Sequence, residues 1–353
     1  MSVSQTLKKT LTIAVTGLNA NDNPGPGVAV IRALREGFDE KIRIIGLAYE
    51  TLEPAIYMHD LVDKTYRIPY PTAGVEALKS RLEQIQSIEK IDVLIPNFDA
   101  ELFNFIKIEK DLLSMGICTF LPSHKQLEQR DKVNLKSFGE QNNFNIPASE
   151  VIFKDVEIAK TAEQFGFPLV VKGKFYEAFV VQNLNDAYKA FHTLQAKWGL
   201  PIIVQKFIKG TEINIAGLGD GNGKAVSIVP MRKLYITDKG KAWAGITIED
   251  EKLIALAEDF AKSTSWTGGF ELEIMKEESG DLYIMEVNPR FPAWVYLTVA
   301  ADQNQPKALV EMALGKSVEK FTAYKSGKMF IRYAWDNVVD VEEFQKLSAF
   351  GEL

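Results

Sequence analysis

The first third of the chain alternates short apolar runs with amphipathic stretches. Leu11 to Thr16, Ile42 to Ala48, Val93 to Pro96 and Ile117 to Phe120 have the length and content of buried strands. Val28 to Gly37, Gly74 to Ile88 and Ala100 to Ser114 repeat apolar residues at helical spacing. Alternation of this kind predicts a parallel α/β sheet. Leu121-Pro122-Ser123 reads as the exit from a first domain, 1–122. A second unit, 123–204, is predicted to hold a helix over 125–143, strands near 150 and 169, a strand at 178–182 and a helix at 185–197. The third, 205–353, is strand-rich with a helix at 250–263, and no motif assigns its last segment, 320–353.

Within this third unit, residues 268–290 carry candidate chemistry. Phe270 to Met275 and Leu282 to Val287 are β-rich runs separated by Lys-Glu-Glu-Ser-Gly-Asp, a turn composition, so an antiparallel hairpin is predicted. Side chains two apart share a strand face, which groups Glu286 with Asn288 and Glu271 with Glu273, while Met285 and Val287 turn the other way. A register that sets Glu273 opposite Glu286 brings two carboxylates together, and both stay ionised only with a cation between them. Glu273, Glu286 and Asn288 offer the oxygen donors that suit magnesium held jointly with nucleotide phosphates. Pro289 ends the strand, and Arg290 at its mouth supplies a fixed cation for an anionic substrate or transition state. The plainer alternative is a solvated hairpin face with scattered charges.

With its upstream glutamate, the run Glu286-Val287-Asn288-Pro289-Arg290 resembles the motif that closes the metal site of the ATP-grasp superfamily. The resemblance covers nearly the whole chain. It implies an N-terminal Rossmann-like parallel-sheet domain followed by a two-lobed ATP-grasp fold, α/β and α+β in class. Phe167-Pro168-Leu169-Val170-Val171-Lys172 looks like the family's strand ending in a phosphate-binding lysine, or else a strand with a solvent-facing lysine. Ile202 to Ile208, followed by Gly210 and Glu212, is similar to the family's adenine hinge. The resemblance implies that Gln205, Lys206, Phe207 and Ile208 border the base and that Glu212 accepts from the ribose hydroxyls; a buried strand and turn is the alternative. Arg130-Asp131-Lys132, opening a helical pattern through Val133, Leu135 and Phe138, resembles the start of the nucleotide-binding region, with Lys132 as its first phosphate lysine. Arg232 is the candidate for the family's basic residue facing the γ-phosphate and acyl phosphate, or else a surface charge.

The family follows its second lysine with a loop rich in glycine and serine, whereas this chain has Gly173-Lys174-Phe175-Tyr176-Glu177-Ala178-Phe179. Amides close to phosphate need small residues. Either Lys174 or Tyr176 covers the phosphates instead, or the lid is weak. Gly17 to Gly27 can present amides to an anion but lacks the Gly-x-Gly-x-x-Gly spacing, so a substrate wall and a structural turn are equal readings. Leu218 to Lys224 lacks the first glycine and the Ser/Thr of a phosphate loop and reads as a hairpin turn. Trp243, Trp294 and Tyr296 either line an acyl pocket or pack.

Composition narrows the class. With 46% hydrophobic and 25% charged residues the chain is an ordinary globular one, and a net charge of -6 argues against a nucleic-acid partner. No apolar run reaches the about 18 residues that span a bilayer, and Met1 to Thr10 lacks a signal-peptide core, so a cytoplasmic protein with no membrane partner is expected. The single cysteine, Cys118, excludes an internal disulfide and reads as a buried strand residue. A homodimer is the default oligomer. The resemblance implies an ADP-forming ligase that activates a small-molecule carboxylate as an acyl phosphate for an amine or other nucleophile, using ATP with magnesium or manganese. Two alternatives stay open: a bicarbonate-activating enzyme resembling carbamoyl-phosphate synthase or a carboxylase, and an ATP-binding regulatory or scaffold protein with little turnover.

Overall fold

In the computed structural model, which describes residues 10–20, 24–174, 177–237 and 240–353, the N-terminal apolar runs form a parallel sheet. Its strands β1 (Thr12–Val15), β2 (Arg43–Ala48), β3 (Lys64–Arg67) and β4 (Val93–Ile95) lie in the order β3-β2-β1-β4. The sequence reading lacked β3, whose short run alternates polar ends with buried Thr65 and Tyr66. The predicted strand at Ile117 to Phe120 shrinks to one bridge, Cys118 to Val93, and Cys118 is half-buried rather than buried.

Helix α1 (Pro26–Gly37) opens on a proline at its first turn, where the missing N–H costs nothing, and α2 (Val75–Glu89) follows β3. The predicted helix at Ala100 to Ser114 divides into α3 (Asp99–Lys107) and α4 (Glu109–Ser114). Ile108 between them leaves helical backbone, φ -99° and ψ 11°, as its side chain is buried.

The predicted helix over 125–143 divides as well, into α5 (His124–Gln129) and α6 (Leu135–Asn142). Ser123 and Gln126 cap α5 reciprocally, and Asn134 Nδ2 donates to Glu128 O at 2.9 Å across the turn that replaces the helix. A small antiparallel sheet follows, built from β5 (Ser149–Ile152), β6 (Leu169–Gly173), β7 (Ala178–Val181) and β8 (Ile202–Lys206) in the order β5-β8-β6-β7. Helices α7 (Glu157–Phe165) and α8 (Leu184–Trp198) cover it, burying Ile158, Phe191 and Leu194 against Leu169, Val171 and Val204.

The largest sheet has six antiparallel strands: β9 (Gly210–Asp220), β10 (Ala225–Ile236), β11 (Ala242–Thr247), β12 (Thr267–Glu277), β13 (Leu282–Asn288) and β14 (Met329–Ile331), in the order β13-β12-β9-β10-β11-β14. The turn between β9 and β10 is the one read from Leu218 to Lys224, tied by Asp220 Oδ1 accepting from the Asn222 and Lys224 amides. Asp250 caps α9 (Glu251–Thr264), which lays Leu253, Ala257 and Phe260 on one face of this sheet, over Ile213, Ile215, Phe270, Leu272 and Ile274. Each such buried side chain contributes about 1.5–3 kcal/mol. Gly217 is required there, because a Cβ would lie 2.1 Å from the Phe270 ring. The opposite face of the same sheet is free to be polar.

Three last helices join the sheets. Residues of α11 (Gln305–Ala313) pack with those of α1 in the N-terminal core, and Tyr296 of α10 (Tyr296–Ala300) donates to Glu36 at 2.5 Å. The segment that no motif assigned adds β14 to the large sheet and then returns through α12 (Val341–Phe350), whose Leu347 enters the N-terminal core; Leu353 exchanges backbone bonds with Thr65 of β3.

Candidate active site

Alternation along β12 and β13 sets up the polar face. Glu273 pairs with Glu286 and Glu271 with Asn288, so three carboxylates and an amide stand on the side opposite α9. Neighbouring β9 contributes Asn214 and Glu212 to this face, and β10 contributes Lys233. Asn288 donates Nδ2 to Glu271 at 3.0 Å and to Glu273 at 3.2 Å, which leaves Oδ1 as its donor atom for a cation. Glu271 is the pivot: it also accepts from Asn214 at 2.7 Å and from the buried Trp294 indole at 2.8 Å.

Cations arrive from every direction. Lys132, in the turn before α6, lies 3.4 Å from Glu286, and Lys172, next to last in β6, is within reach of the charges of Glu286 and Glu273. Lys233, nearly buried, is 2.9 Å from Glu212. Arg290 lies 3.5 Å from Glu271 and 2.9 Å from Asp99 at the start of α3. Burial pushes Lys172 down to about 8, with Lys132 adding to the push and Glu286 and Glu273 resisting it.

The opposed carboxylates are driven apart in acidity. Burial would raise Glu273, but Lys233, Lys241, Asn288 and Arg290 outweigh it and hold its carboxyl below the ordinary value. Burial raises Glu286, and the charges of Glu273 and Asp99 raise it further against Lys132 and Lys172. Two opposed carboxylates whose proton affinities are driven apart in this way are ones that a cation can bridge. Among the described residues no three acidic, histidine or cysteine side chains form a metal-holding group; a cation held by Glu273, Glu286 and Asn288 would need its other oxygens from ligand and water. This oxygen-only donor set fits magnesium.

Other expectations distribute unevenly. Gln205 is buried on β8, and its Oε1 has no partner among the described residues. Lys206 is exposed and donates its amide to Ala148 O at 2.8 Å, so its N–H is not available to a base. Phe207 is half-buried and Ile208 buried just beyond the strand, and Glu212 keeps one oxygen on Lys233. Lys174 is half-buried at the end of β6; Phe175 and Tyr176 lie outside the described residues, as does most of the turn at Asp238 to Gly240.

One reading is corrected and two are narrowed. Arg232 is exposed and pairs with Ile213 and Ile246, on the α9 side of the sheet; the strand's period of two gives the polar face to Lys233 instead. The loop at Gly17 to Gly27 spends the amides of Gly25 and Gly27 on Asn19 O and Gly17 O, so they are not presented to an anion. Trp294 packs its ring with Ala216, Met231 and Leu297 while its indole N–H donates to Glu271, and Tyr296 carries Arg32 on its ring at 4.0 Å, so both spend their rings on packing. Sequence reasoning gave no role to Asp99, Arg130, Asn214 or Lys233. Polar residues two apart in an apolar strand, Glu212 and Asn214, were the available signal for β9.

Residues 200–335 match a family model described as ATP-grasp in the biosynthetic pathway with Ter operon. The chain is 24% identical over 249 residues to the carbamoyl phosphate synthase large chain of Thermoanaerobacter sp. (strain X514), covering 63% of this chain and 22% of that protein. It is 27% identical over 172 residues to the D-alanine–D-alanine ligase of Geobacter sulfurreducens, covering 45% of this chain and 54% of that one. It therefore spans about a fifth and about half, respectively, of these curated relatives. Among solved structures, a β,γ-ATP complex of biotin carboxylase from Campylobacter jejuni superposes with a TM-score of 0.71 at 17% identity, over 91% of this chain and 74% of that one. No helix among the described residues is long and apolar enough to cross a membrane. The stretch that matches the ATP-grasp family model takes in the whole carboxylate hairpin, and the fold shared with that solved structure extends through the N-terminal sheet.

Proposed function

We propose that this protein is an ATP-dependent, ADP-forming ligase that activates a small-molecule carboxylate as an acyl phosphate for attack by an amine or another nucleophile. The observation that carries the reading is the convergence of Lys132, Lys172, Lys233 and Arg290 on the Glu273–Glu286–Asn288 face, with acids and cations drawn from separate elements. In this reading residues 1–122 wall the substrate side, 123–204 form the lid and 205–353 hold the reacting phosphates. A cytoplasmic setting follows for an enzyme that consumes ATP.

The base would lie against buried Ile208 and the Phe207 backbone, since the Lys206 N–H is already bonded. Lys172, desolvated and close to titration at neutral pH, places its charge on the α- and β-phosphates, and Lys132 adds a second ammonium. The chemistry that magnesium supplies when bound by Glu273, Glu286 and Asn288 is neutralisation of charge on the β- and γ-phosphates. An oxygen of the substrate carboxylate attacks the γ-phosphorus, the bond to the β-bridging oxygen breaks, and ADP departs. The nucleophile then attacks the acyl carbon and phosphate leaves. Arg290 and Lys233 are the fixed cations for the transferring phosphoryl and the oxyanion, which makes the catalysis electrostatic and positional, without a covalent enzyme intermediate.

Product analysis tests this. Protein with Mg-ATP and pooled amino acids, carboxylates or bicarbonate is expected to release ADP in an acceptor-dependent way that Glu286→Ala abolishes. AMP as product would overturn acyl-phosphate chemistry. ATP bound with no product in any pool would make the protein a nucleotide-dependent regulator.

A further inference from the structure

We propose that Asp99 is the positioning residue that aims Arg290 and Arg130 at the reacting groups, so that the N-terminal sheet completes a site whose other parts are C-terminal to it. This rests on the ligase reading above. Asp99 is the first residue of α3, directly after β4, and both of its oxygens are taken by guanidinium groups from elsewhere. Oδ1 accepts from Arg290 Nε at 2.9 Å, and Oδ2 accepts from Arg130 Nη1 at 3.1 Å. Arg130 precedes the turn that delivers Lys132 to Glu286, and Arg290 follows the strand that carries Glu286 and Asn288. One carboxylate thus holds two guanidinium groups, one from beside the turn that carries Lys132 and one from beyond the strand that carries Glu286 and Asn288.

The backbone that holds Asp99 is itself fixed. The amides of Asn97 and Phe98 both donate to the buried Glu101 carboxylate, at 2.7 and 3.0 Å, and Glu101 is held in turn by Thr16 and Tyr49 from two other strand ends. A guanidinium is planar, so fixing two of its nitrogens fixes the direction of the third. In Arg290, Nε is on Asp99 and Nη1 is on Phe291 O at 3.1 Å and Glu271 at 3.5 Å, while Nη2 takes no hydrogen bond among the described residues. Nη2 is therefore the edge offered to an incoming anionic oxygen. Arg130 Nε is likewise buried without a partner.

A purely structural role is the competing account, because an acidic residue in a first helical turn stabilises the helix by its charge alone. That account predicts a lower melting temperature and unchanged kinetics of the folded protein. Positioning predicts a change in turnover with little change in ATP affinity, because the arginines keep their charge and lose only their aim.

The experiment uses the full chain with the acceptor found above. Asp99→Asn is expected to lower kcat by about 30-fold or more, with the KM for ATP within about threefold of the parent value, since misplacement of a group by about an ångström can cost on the order of a hundredfold. Asp99→Glu should restore kcat to within about fivefold, and the double variant D99N/R290K should turn over no more slowly than R290K, because residues that act through one another are not additive. Should Asp99→Asn not melt as one transition, Asp99→Ser takes its place in the same cycle. Unchanged kcat in Asp99→Asn, or losses that multiply in the double variant, would overturn the role of Asp99 and leave the ligase reading standing. A parent protein that makes no ADP in any pool would overturn the ligase reading, and this inference with it.

Discussion

Buried carboxylates occur in two regions of this protein, and they are stabilised in opposite ways. Glu101, at the carboxyl end of the N-terminal sheet, is surrounded by neutral donors: the Thr16 and Tyr49 hydroxyls and the amides of Asn97 and Phe98. Burial pushes it up to about 7 in spite of those bonds, and no cation is among the groups that set it. Glu273 and Glu286, on the large sheet, are faced by Lys132, Lys172, Lys233, Lys241 and Arg290. A closed shell of hydroxyls and amides fits a carboxyl that staples three strand ends. An open shell of cations fits carboxylates that share their charge with a ligand. The type of partner, and not burial itself, separates the acid that braces strand ends from the acids proposed to serve the reaction.

The comparison breaks first at the hairpin. Glu273→Gln keeps volume and hydrogen bonding but removes the charge, and it is expected to cost on the order of 10²- to 10³-fold in ADP formation, with the melting temperature barely lower or even higher. A steady-state ADP assay beside a thermal melt checks both halves.

The next test is the pH dependence of stability. The folded-state pKa of Glu101 is raised to about 7 from an ordinary value of 4.5, so the unfolded chain loses this proton first. The contribution is fully present below about 4.5 and is lost as pH rises toward 7, by up to roughly 3 kcal/mol. Urea titrations at pH 5 and pH 7.5 should show Glu101→Gln losing less stability over that interval than the parent. An equal loss in both proteins would mean that Glu101 is already ionised in the fold.

The smallest effects separate neighbours on one strand. Lys233→Ala is expected to lower turnover by about tenfold to a hundredfold, as loss of one fixed cation near the reacting groups does, while Arg232→Ala should stay within about twofold. Equal effects in the two variants would mean that strand parity does not decide which cation serves the site.

The hairpin was legible because its information is local. A six-residue turn between two β-rich runs predicted the pairing, and side-chain alternation predicted which residues share a face; the register Glu273 to Glu286 was not legible, because it depends on a shift of register between Glu273 and Ile274. The helix at 250–263 was legible for the same reason, with a capping Asp250 and a steady apolar period. The runs at 100–114 and 125–143 misled. Periodicity does not register that Ile108 is drawn into the core, or that a side chain such as Asn134 closes a turn inside an apparently continuous helix. Arg232 and Lys233 are not separable in the sequence, because nothing near β10 says which of its faces α9 covers.

By itself the sequence determined which residues can carry charge and in what local order: the carboxylates and amide of one hairpin, the lysine next to last in a buried strand, and the strand–helix alternation of the N-terminal third. Only the tertiary structure decided which charges meet. Arg290 meets an aspartate 191 positions earlier, and Lys132 reaches Glu286 on the large sheet from a turn outside it, because chain closure over such distances is set by how whole sheets and helices pack. Packing is a property of summed apolar surface, and no short stretch of sequence records it.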